Sequence, residues 1–268
     1  MKIALHGAAG RMGRAIVGLA QEADDLEVVG AIDHHGSPHL GQDIGVLAGV
    51  GNLGVMVDAD VGSGLLGADV VIDFSIAPAF DSMLRAAMQQ GVAVVSGTTR
   101  LTDESVALID KAAQKIPVLW APNMSVGVQV LAKLVREAVG ALGADYDVEI
   151  VEVHHNQKAD APSGTATFLE QAARSVRNEL TAQHGREGQV GKRKPSEIGI
   201  HAIRGGGVVG DHTVHLIGEY DRIEISHRAM RRELFAAGAL RAARFVAGKE
   251  PGRYALADVI ARAPGTPP

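Results

Sequence analysis

The feature that most constrains the fold of this chain is a strand, a glycine-rich turn and a helix at its beginning. The apolar run KIALH at Lys2 to His6 leads into GAAGRMG at Gly7 to Gly13, and a helix-forming run follows. A second apolar run ends at Asp33, 20 residues after Gly13. Glycines let such a turn approach a pyrophosphate, and the distal acid accepts hydrogen bonds from ribose hydroxyls. This order of elements predicts a dinucleotide-binding βαβ unit.

The glycine spacing of this turn departs from the commonest fingerprint. Gly7, Gly10 and Gly13 follow G-x-x-G-x-x-G, and Ala9 stands where G-x-G-x-x-G has its second glycine. The alternative interpretation is a set of glycines that only packs a helix closely against a sheet. The complete order of strand, turn, helix, strand and terminal acid favours dinucleotide binding.

Apolar strands alternate with helices through the first half of the chain. Strands are predicted at 67–75, 92–96 and 118–121, and helices at 78–90 and 102–115. This alternation predicts an α/β fold with a Rossmann-like, doubly wound parallel sheet. Ligands bind such sheets beyond the carboxyl ends of the strands. The polar segments at those ends are therefore predicted to ring one crevice with the glycine turn: Asp73 to Ser75, Gly97 to Thr99 and Ala121 to Met124.

The pattern changes after an amphipathic helix predicted at 125–142. Strand-like runs with period-two alternation follow at 146–155, 198–204, 212–218 and 222–228. They predict a second α/β domain whose mixed or antiparallel sheet has one exposed face. Two polar segments, 34–53 and 183–195, are expected to be loops. A helix is predicted over 232–246, and the tail ARAPGTPP at 261–268 is expected to fray.

The densest group of chemically reactive residues is EVHHNQKADAPSGTA, from Glu152 to Ala166. His154, His155 and Lys158 follow a predicted strand, and Ser163-Gly164-Thr165 begins a predicted helix. A helix start attracts carboxylates and phosphates, and a histidine can transfer a proton near neutral pH. The segment therefore predicts a site for an anionic substrate with a proton-transfer residue. The alternative is a capped helix after an edge strand with two exposed histidines.

Composition excludes several classes of function. The 268 residues are 46% apolar, which indicates a globular chain, and the net charge of −5 argues against nucleic-acid binding and membrane-surface attraction. The chain has no cysteine, so disulfides and thiolate catalysis are excluded. No apolar run approaches the ~20 residues of a membrane helix, and no signal peptide is expected, so a cytoplasmic location is predicted. No bound metal is expected, because neighbouring strand-end histidines point to opposite faces.

With these motifs in view, the chain resembles the dihydrodipicolinate reductase (4-hydroxy-tetrahydrodipicolinate reductase) family of bacterial lysine and diaminopimelate synthesis. The resemblance covers essentially the whole length. Its motifs are GAAGRMGR at 7–14, SGTT at 96–99, APNMSVGV at 121–128, EVHHNQKADAPSGTA at 152–166 and RGGGVVGDHTV at 204–214. The fourth motif is highly specific, whereas the first alone is not.

The resemblance implies a dinucleotide-binding domain at 1–125, completed by 233–268, and a substrate-binding and oligomerisation domain at 126–232. It implies a homotetramer and the reduction of 4-hydroxy-tetrahydrodipicolinate, a dicarboxylate, by hydride transfer from NADH or NADPH. His154 is then the acid/base residue and Lys158 a second proton donor, while His155, Gly164 and Thr165 bind substrate carboxylates. The implied cofactor-binding residues are Gly7, Ala8, Ala9, Gly10, Arg11, Met12, Asp33, His34, Gly97, Thr98, Thr99, Ala121, Pro122, Asn123 and Met124.

Two positions depart from the family pattern. Asn156 and Gln157 stand where members often have Arg and His, which removes a cation near the site but none of the assigned catalytic groups. His34 follows the ribose-binding acid where an arginine often holds a 2′-phosphate. NADH is therefore expected to be used at least as well as NADPH at pH 7.5, a pH at which histidine is mostly uncharged.

Two other functions stay open from the sequence. One is another NAD(P)-dependent dehydrogenase, although the absence of cysteine argues against a thiohemiacetal mechanism. The other is a dinucleotide-sensing regulator without catalysis. Such a regulator has no need for His154, His155 and Lys158 beside an anion-binding helix start. DNA binding requires a basic patch, and the only candidate is the Lys192-Arg193-Lys194 loop segment.

Overall fold

The computed structural model describes residues 1–260. The expected fraying of the tail at 261–268 lies outside these described residues. The chain divides into two compact units. The first contains Met1–Met124 together with the described residues from Glu233 onward, and the second contains Ser125–Arg232.

The first unit alternates strands and helices. Its elements up to residue 124 are β1 (Lys2–His6), α1 (Arg11–Gln21), β2 (Glu27–Ile32), α2 (Ile44–Ala48), β3 (Val57–Asp58), α3 (Val61–Gly64), β4 (Val70–Asp73), α4 (Ala77–Gln90), β5 (Ala93–Ser96), α5 (Asp103–Ala112) and β6 (Pro117–Trp120). The second unit contains α6 (Val126–Leu142), β7 (Asp147–His154), α7 (Gly164–Arg174), β8 (Thr181–His184), β9 (Glu197–Arg204), β10 (Gly210–Ile217) and β11 (Arg222–Ala229). The chain returns to the first unit with α8 (Glu233–Val246) and β12 (Gly252–Tyr254).

The sheet of the first unit is parallel throughout, with seven strands in the order β12-β6-β5-β4-β1-β2-β3. Its central strands are buried apolar runs, as expected for strands covered on both faces. One core cluster joins β1 to α1 and α8, and a second joins β4 and β5 to α4 and α5. The predicted Rossmann-like α/β fold is confirmed.

The sheet of the second unit has five strands in the order β11-β10-β7-β9-β8. β7 is antiparallel to β10 and parallel to β9, so the sheet is mixed, as predicted. Burial alternates along β7, and Val148, Ile150 and Glu152 face the packed side. Helices α6 and α7 supply the apolar side chains of that core, including Leu131, Val135 and Leu169.

The segments predicted to be loops contain short regular elements. The segment 34–53 contains α2. The Asp43 side chain starts this helix by accepting hydrogen bonds from the Gly45 and Val46 N–H groups. The same carboxylate accepts bonds from Leu53 and Val55 N–H groups across the loop. β8 overlaps the start of the segment 183–195. It pairs in parallel with β9, and its own sequence has no alternation of apolar and polar residues. Neither element carries the hydrophobic periodicity from which helices and strands are predicted.

Two glycines of α1 provide a test of how tightly the turn is packed. A Cβ at Gly13 overlaps the carbonyl oxygen of Ala8, whereas a Cβ at Gly18 meets nothing within 4 Å. We expect Gly13→Ala to lower the free energy of unfolding by about 1–3 kcal/mol, the usual cost of overpacking. Gly18→Ala is expected to raise it by about 0.5–1 kcal/mol, because alanine favours a helix over glycine. Denaturant titration of both variants checks the prediction, and equal effects contradict it.

Candidate functional site

The glycine turn of the first unit is held against the ends of two strands. The N–H groups of Gly7 and Ala8 both donate to the carbonyl of Ile32, the last residue of β2. Gly7 has a φ of +77°, and a Cβ there would lie 2.7 Å from the carbonyl oxygen of Phe74. Gly10 caps α1 without a side-chain hydrogen bond, so no side chain fills the helix start. The N–H groups of the turn are thus used within the protein, and the first N–H groups of α1 are those left for an anionic group.

Asp33 follows β2 and closes one side of the same turn. Its carboxylate accepts a hydrogen bond from Ala9 N–H at 3.2 Å and from His34 N–H at 2.8 Å. The Ser37 hydroxyl lies 3.4 Å from the same carboxylate. These contacts fix the acid at the strand end, where a ribose-binding acid is expected.

A buried carboxylate, Asp73, organises the neighbouring strand ends. It is fully buried and accepts bonds from Ser96 Oγ at 2.6 Å and Thr98 Oγ1 at 2.8 Å. His6 Nδ1 lies 2.9 Å from it. Burial acts to raise the pKa of Asp73, but the bonds from His6, Ser75 and Ser96 outweigh burial and lower it. Asp73 thereby ties the carboxyl ends of β1, β4 and β5 together.

The predicted cofactor residues fall into two groups in the structure. A cleft at the strand ends is lined by Gly7, Ala9, Gly10, Asp33 and His34, by Phe74 and Ser75 of the predicted segment 73–75, and by unpredicted residues such as Ser37 and His39. The second group lies along the ends of β5 and β6 and does not line this cleft: Gly97, Thr98, Thr99, Ala121, Pro122, Asn123 and Met124. Among the remaining predicted residues, Ala8 is buried, Met12 packs against the core and Arg11 is exposed.

Several residues of the second group are connected by hydrogen bonds. Trp120 Nε1 donates to the carbonyl of Thr98 at 2.8 Å, and Ala121 N–H donates to the carbonyl of Ser96 at 3.0 Å. Thr98, Ala121 and Met124 are buried, whereas Thr99 and Pro122 are exposed. The buried residues therefore shape the strand ends, while Thr99 and Pro122 present accessible atoms.

In the second unit, His154 ends β7 and is held by a carboxylate on the same strand face. His154 Nδ1 lies 2.5 Å from Oε2 of Glu152, and only 11% of the His154 side chain is exposed. Because Nδ1 is occupied by Glu152, Nε2 is the ring atom left for proton transfer. A Cβ at Gly210 would lie 2.9 Å from that Nε2, so the absence of a side chain there makes room for the ring.

Glu152 is fully buried and is paired with Arg204 as well as with His154. Arg204 binds both carboxylate oxygens, at 2.7 and 2.8 Å, and the backbone N–H of Ser163 donates to Oε1 at 3.1 Å. Burial acts to raise the pKa of Glu152, but the bonds from Arg204 and His154 outweigh it, so the pKa is lowered. An ionised Glu152 accepts a hydrogen bond from His154 Nδ1 and so orients the ring.

Lys158 lies in the loop after His154, four residues along the chain. Its Nζ is 2.8 Å from both carboxylate oxygens of Asp160, and 19% of its side chain is exposed. Arg204 also donates to the carbonyl of Asp160 at 2.8 Å. The loop backbone is fixed by His155 N–H, which donates to the carbonyl of Val208 at 2.8 Å. Lys158 therefore stands beside the Glu152–Arg204 pair as a second cation.

Helix α7 begins as the sequence predicts. Ser163 Oγ accepts a hydrogen bond from Ala166 N–H at 3.1 Å and caps the helix. Gly164 is exposed, and a Cβ there meets nothing within 4 Å, so the helix start is open to a ligand. Thr165 is half-buried. His154, Lys158, Gly164 and Thr165 thus belong to one short stretch of chain joined through Glu152 and Ser163, with half-buried His155 beside them.

Sequence reasoning missed three side chains of this arrangement: Glu152, Arg204 and His212. His212 is buried on β10 opposite Glu152, and its Nε2 lies 3.0 Å from Ser163 Oγ. Two of the three lie in the motif at 204–214, which was quoted for the resemblance without a role. The period-two alternation of β7 places Glu152 on the packed face of the strand. A carboxylate at such a core position was the sequence signal that could have identified Glu152 as part of the site.

Neither a metal-ligand cluster nor a membrane-spanning helix occurs among the described residues. Within residues 1–260, no group of three or more His, Cys, Asp or Glu side chains has an arrangement that holds a metal ion. Among the same residues, no helix has the length and apolar character needed to cross a membrane.

The parallel sheet with its glycine turn and strand-end acid, beside a second α/β unit, defines a Rossmann-type oxidoreductase. Two family models match the chain: "Dihydrodipicolinate reductase, N-terminus" over residues 1–124 and "Dihydrodipicolinate reductase, C-terminus" over residues 127–260. The chain belongs to the dihydrodipicolinate reductase family.

Similar proteins span the same length. A 4-hydroxy-tetrahydrodipicolinate reductase of Syntrophotalea carbinolica is 46% identical over 97% of this chain and 98% of its own. One from Anaeromyxobacter sp. is 49% identical over 97% of both chains. The solved structure of dipicolinate-bound dihydrodipicolinate reductase from Paenisporosarcina sp. TG-14 is 25% identical, with a TM-score of 0.75, over 95% of this chain and 97% of that one.

Substitution of Glu152 tests the electrostatic arrangement. Its lowered pKa means that the stabilising charge is present above pH 4.5 and is lost as pH falls through the folded-state pKa. We expect Glu152→Gln to cost about 2–3 kcal/mol of unfolding free energy at pH 7, near the lower end for breaking a buried ion pair, because Arg204 is partly exposed. Acid should then destabilise the variant less steeply than the wild type.

Glu187→Gln is the matched control for this substitution. Glu187 is exposed in the same unit, so its replacement should change stability by less than about 0.5 kcal/mol. Urea unfolding at several pH values between neutral and acidic conditions measures both variants. A Glu152→Gln chain as stable as the control at pH 7 contradicts the prediction.

Proposed function

We propose that this chain reduces 4-hydroxy-tetrahydrodipicolinate to tetrahydrodipicolinate with NADH or NADPH, a step of lysine and diaminopimelate synthesis. Membership of the family and the near full-length relatives of that name support this function. The observation that carries it is the arrangement of His154, Glu152 and Lys158 next to the open start of α7.

The first unit fits a dinucleotide. The turn has no Cβ at Gly7, and no side chain caps α1 at Gly10, so the first N–H groups of α1 are accessible to a pyrophosphate. Asp33 is held where it can accept hydrogen bonds from ribose hydroxyls. The other proposed contacts are Ala8, Ala9, Arg11, Met12, His34, Gly97, Thr98, Thr99, Ala121, Pro122, Asn123 and Met124. When bound, the reduced nicotinamide supplies hydride.

The second unit supplies the substrate contacts. A dicarboxylate is attracted by the Lys158 cation and by the partial positive charge at the start of α7, at Gly164 and Thr165. The dipicolinate-bound relative supports a substrate of this class. His155 is the further proposed carboxylate contact, because it is half-buried beside His154.

The proton chemistry belongs to His154. Hydride addition to a conjugated cyclic imine places negative charge on nitrogen or carbon, and a positioned acid must neutralise it. His154 presents Nε2 for proton transfer because Nδ1 is bonded to Glu152, which holds the ring in place. Lys158 stabilises the developing negative charge and is the second proposed donor.

The two rival functions have less support. No observation in residues 1–260 favours a different dehydrogenase. The buried Glu152–Arg204 pair beside His154 costs desolvation energy. A dinucleotide-sensing regulator without catalysis does not need this pair. The cytoplasmic location and the absence of nucleic-acid partners stay predictions from the sequence.

The direct test is a spectrophotometric assay with enzymatically generated 4-hydroxy-tetrahydrodipicolinate. We expect turnover with both cofactors, and NADH used at least as well as NADPH at pH 7.5. His154→Gln should lower kcat by about 10²-fold or more, as expected for the loss of a general acid. Lys158→Ala should raise KM and lower kcat, because the lysine charge that it removes faces an anionic substrate.

Lys133→Ala is the control for these variants. Lys133 is 65% exposed on α6 and pairs with Glu137 at 3.9 Å, so the kinetics of the variant should match those of the wild type. Wild-type turnover by His154→Gln contradicts the assignment of the acid. A wild-type chain without turnover, with either cofactor, contradicts the proposed function itself.

We also propose that the chain forms a homotetramer through the sheet of the second unit. Ile203 and Ile217 on its strands are 49% and 37% exposed, and Tyr220 in the connecting hairpin is 92% exposed. Apolar side chains on strands need a partner surface to leave water. Light scattering at micromolar concentration should give the mass of four chains, and a monomeric mass refutes the proposal.

A further inference from the structure

The buried imidazole of His212 is the feature of the second unit that the proposed reaction leaves unused. His212 lies on β10 directly opposite Glu152 of β7, and it is only 3% exposed. Its ring stands edge-on to that of His154, with centroids 5.1 Å apart. Its Nε2 lies 3.0 Å from Ser163 Oγ, the cap of α7.

The hydrogen bond between His212 and Ser163 forms whichever ring nitrogen carries the proton. Nδ1 of His212 is buried and has no partner among the described residues. A neutral imidazole has one N–H donor and one acceptor nitrogen, and a serine hydroxyl both donates and accepts. Nε2 therefore either donates to Ser163 Oγ or accepts the hydroxyl proton, and the ring holds Ser163 in both forms.

Burial lowers the pKa of His212 to about 4 and so favours the uncharged ring. The charged or titratable groups that face His212 are Glu152 and His154 from β7, His227 from β11 and Lys158 from the loop after β7. His154, His227 and Lys158 lower the pKa further, while Glu152 opposes them.

We propose that His212 is a positioning residue for the reaction: as a neutral imidazole it fixes Ser163 through Nε2 and so aligns the start of α7, at Gly164, for a substrate carboxylate. This inference rests on the proposed function. Ser163 connects the two, since its backbone N–H donates to Glu152 and its Oγ contacts both His212 and Ala166 N–H. His212 itself is not assigned a contact with substrate.

Two variants separate a positioning role from packing. His212→Leu removes the hydrogen bond, whereas His212→Gln places an amide where Nε2 was. With NADH saturating, His212→Leu should weaken dipicolinate binding by about 3- to 10-fold, the loss expected for one net hydrogen bond. KM should rise by a similar factor while kcat changes by less than about 2-fold, because the lost contact aligns binding groups.

Rescue and control complete the kinetic test. His212→Gln should recover most of the dipicolinate affinity. His184→Leu removes an exposed histidine of β8 in the same unit and should bind dipicolinate as the wild type does. Calorimetry measures dipicolinate affinity without turnover, so the result is independent of whether the chain reduces 4-hydroxy-tetrahydrodipicolinate. Wild-type dipicolinate affinity in a folded His212→Leu chain overturns the proposal.

Nitrogen NMR of histidine-labelled wild-type protein tests the same proposal without any substitution. His212 should remain neutral at pH values well above its pKa of about 4, with Nε2 in a hydrogen bond. A charged ring at pH 6, or an Nε2 without a hydrogen bond, overturns the proposal even if the leucine variant fails to fold. Turnover that is absent in wild type, with this hydrogen bond present, contradicts the proposed function alone.

Discussion

The second unit depends on one buried negative charge, the carboxylate of Glu152. Removing an ionised carboxylate from water is costly, and it is tolerated only when partners replace the lost solvation. Arg204, His154 and the Ser163 N–H supply those partners from β9, β7 and the start of α7. The need to satisfy one charge therefore brings a strand end, a helix start and a proton-transfer group into one arrangement.

The first unit uses the same device with different chemistry. Asp73 is also fully buried, and it is satisfied by Ser96, Thr98 and His6 from neighbouring strand ends. Hydroxyl groups and an imidazole, rather than an arginine, replace the solvation of this carboxylate. In both units a buried acid fixes loops that the hydrophobic core alone leaves free to move, because hydrogen bonds are directional and apolar contacts are not.

The sequence allowed the fold class and the main strands to be predicted, because those strands carry apolar runs or strict alternation. α2 and β8 were not predicted. The Asp43 cap fixes α2 and the pairing with β9 fixes β8, and neither interaction leaves a hydrophobic pattern in the sequence. At the candidate site, the motif at 152–166 identified His154 and Lys158. Arg204 and His212 lie about fifty residues further along the chain, and only the pairing of β7 with β9 and β10 brings them to Glu152.

The central claim is that Glu152 is ionised while buried, since its charge orients His154 and holds Arg204. Infrared difference spectroscopy between the wild type and Glu152→Gln measures this directly, through the carboxyl stretching bands of one side chain. At neutral pH the account predicts a carboxylate band that disappears in the variant, and this band should persist in the wild type as pH falls below 4.5, the ordinary pKa of glutamate. A protonated carboxylic-acid band for Glu152 at neutral pH would contradict the account.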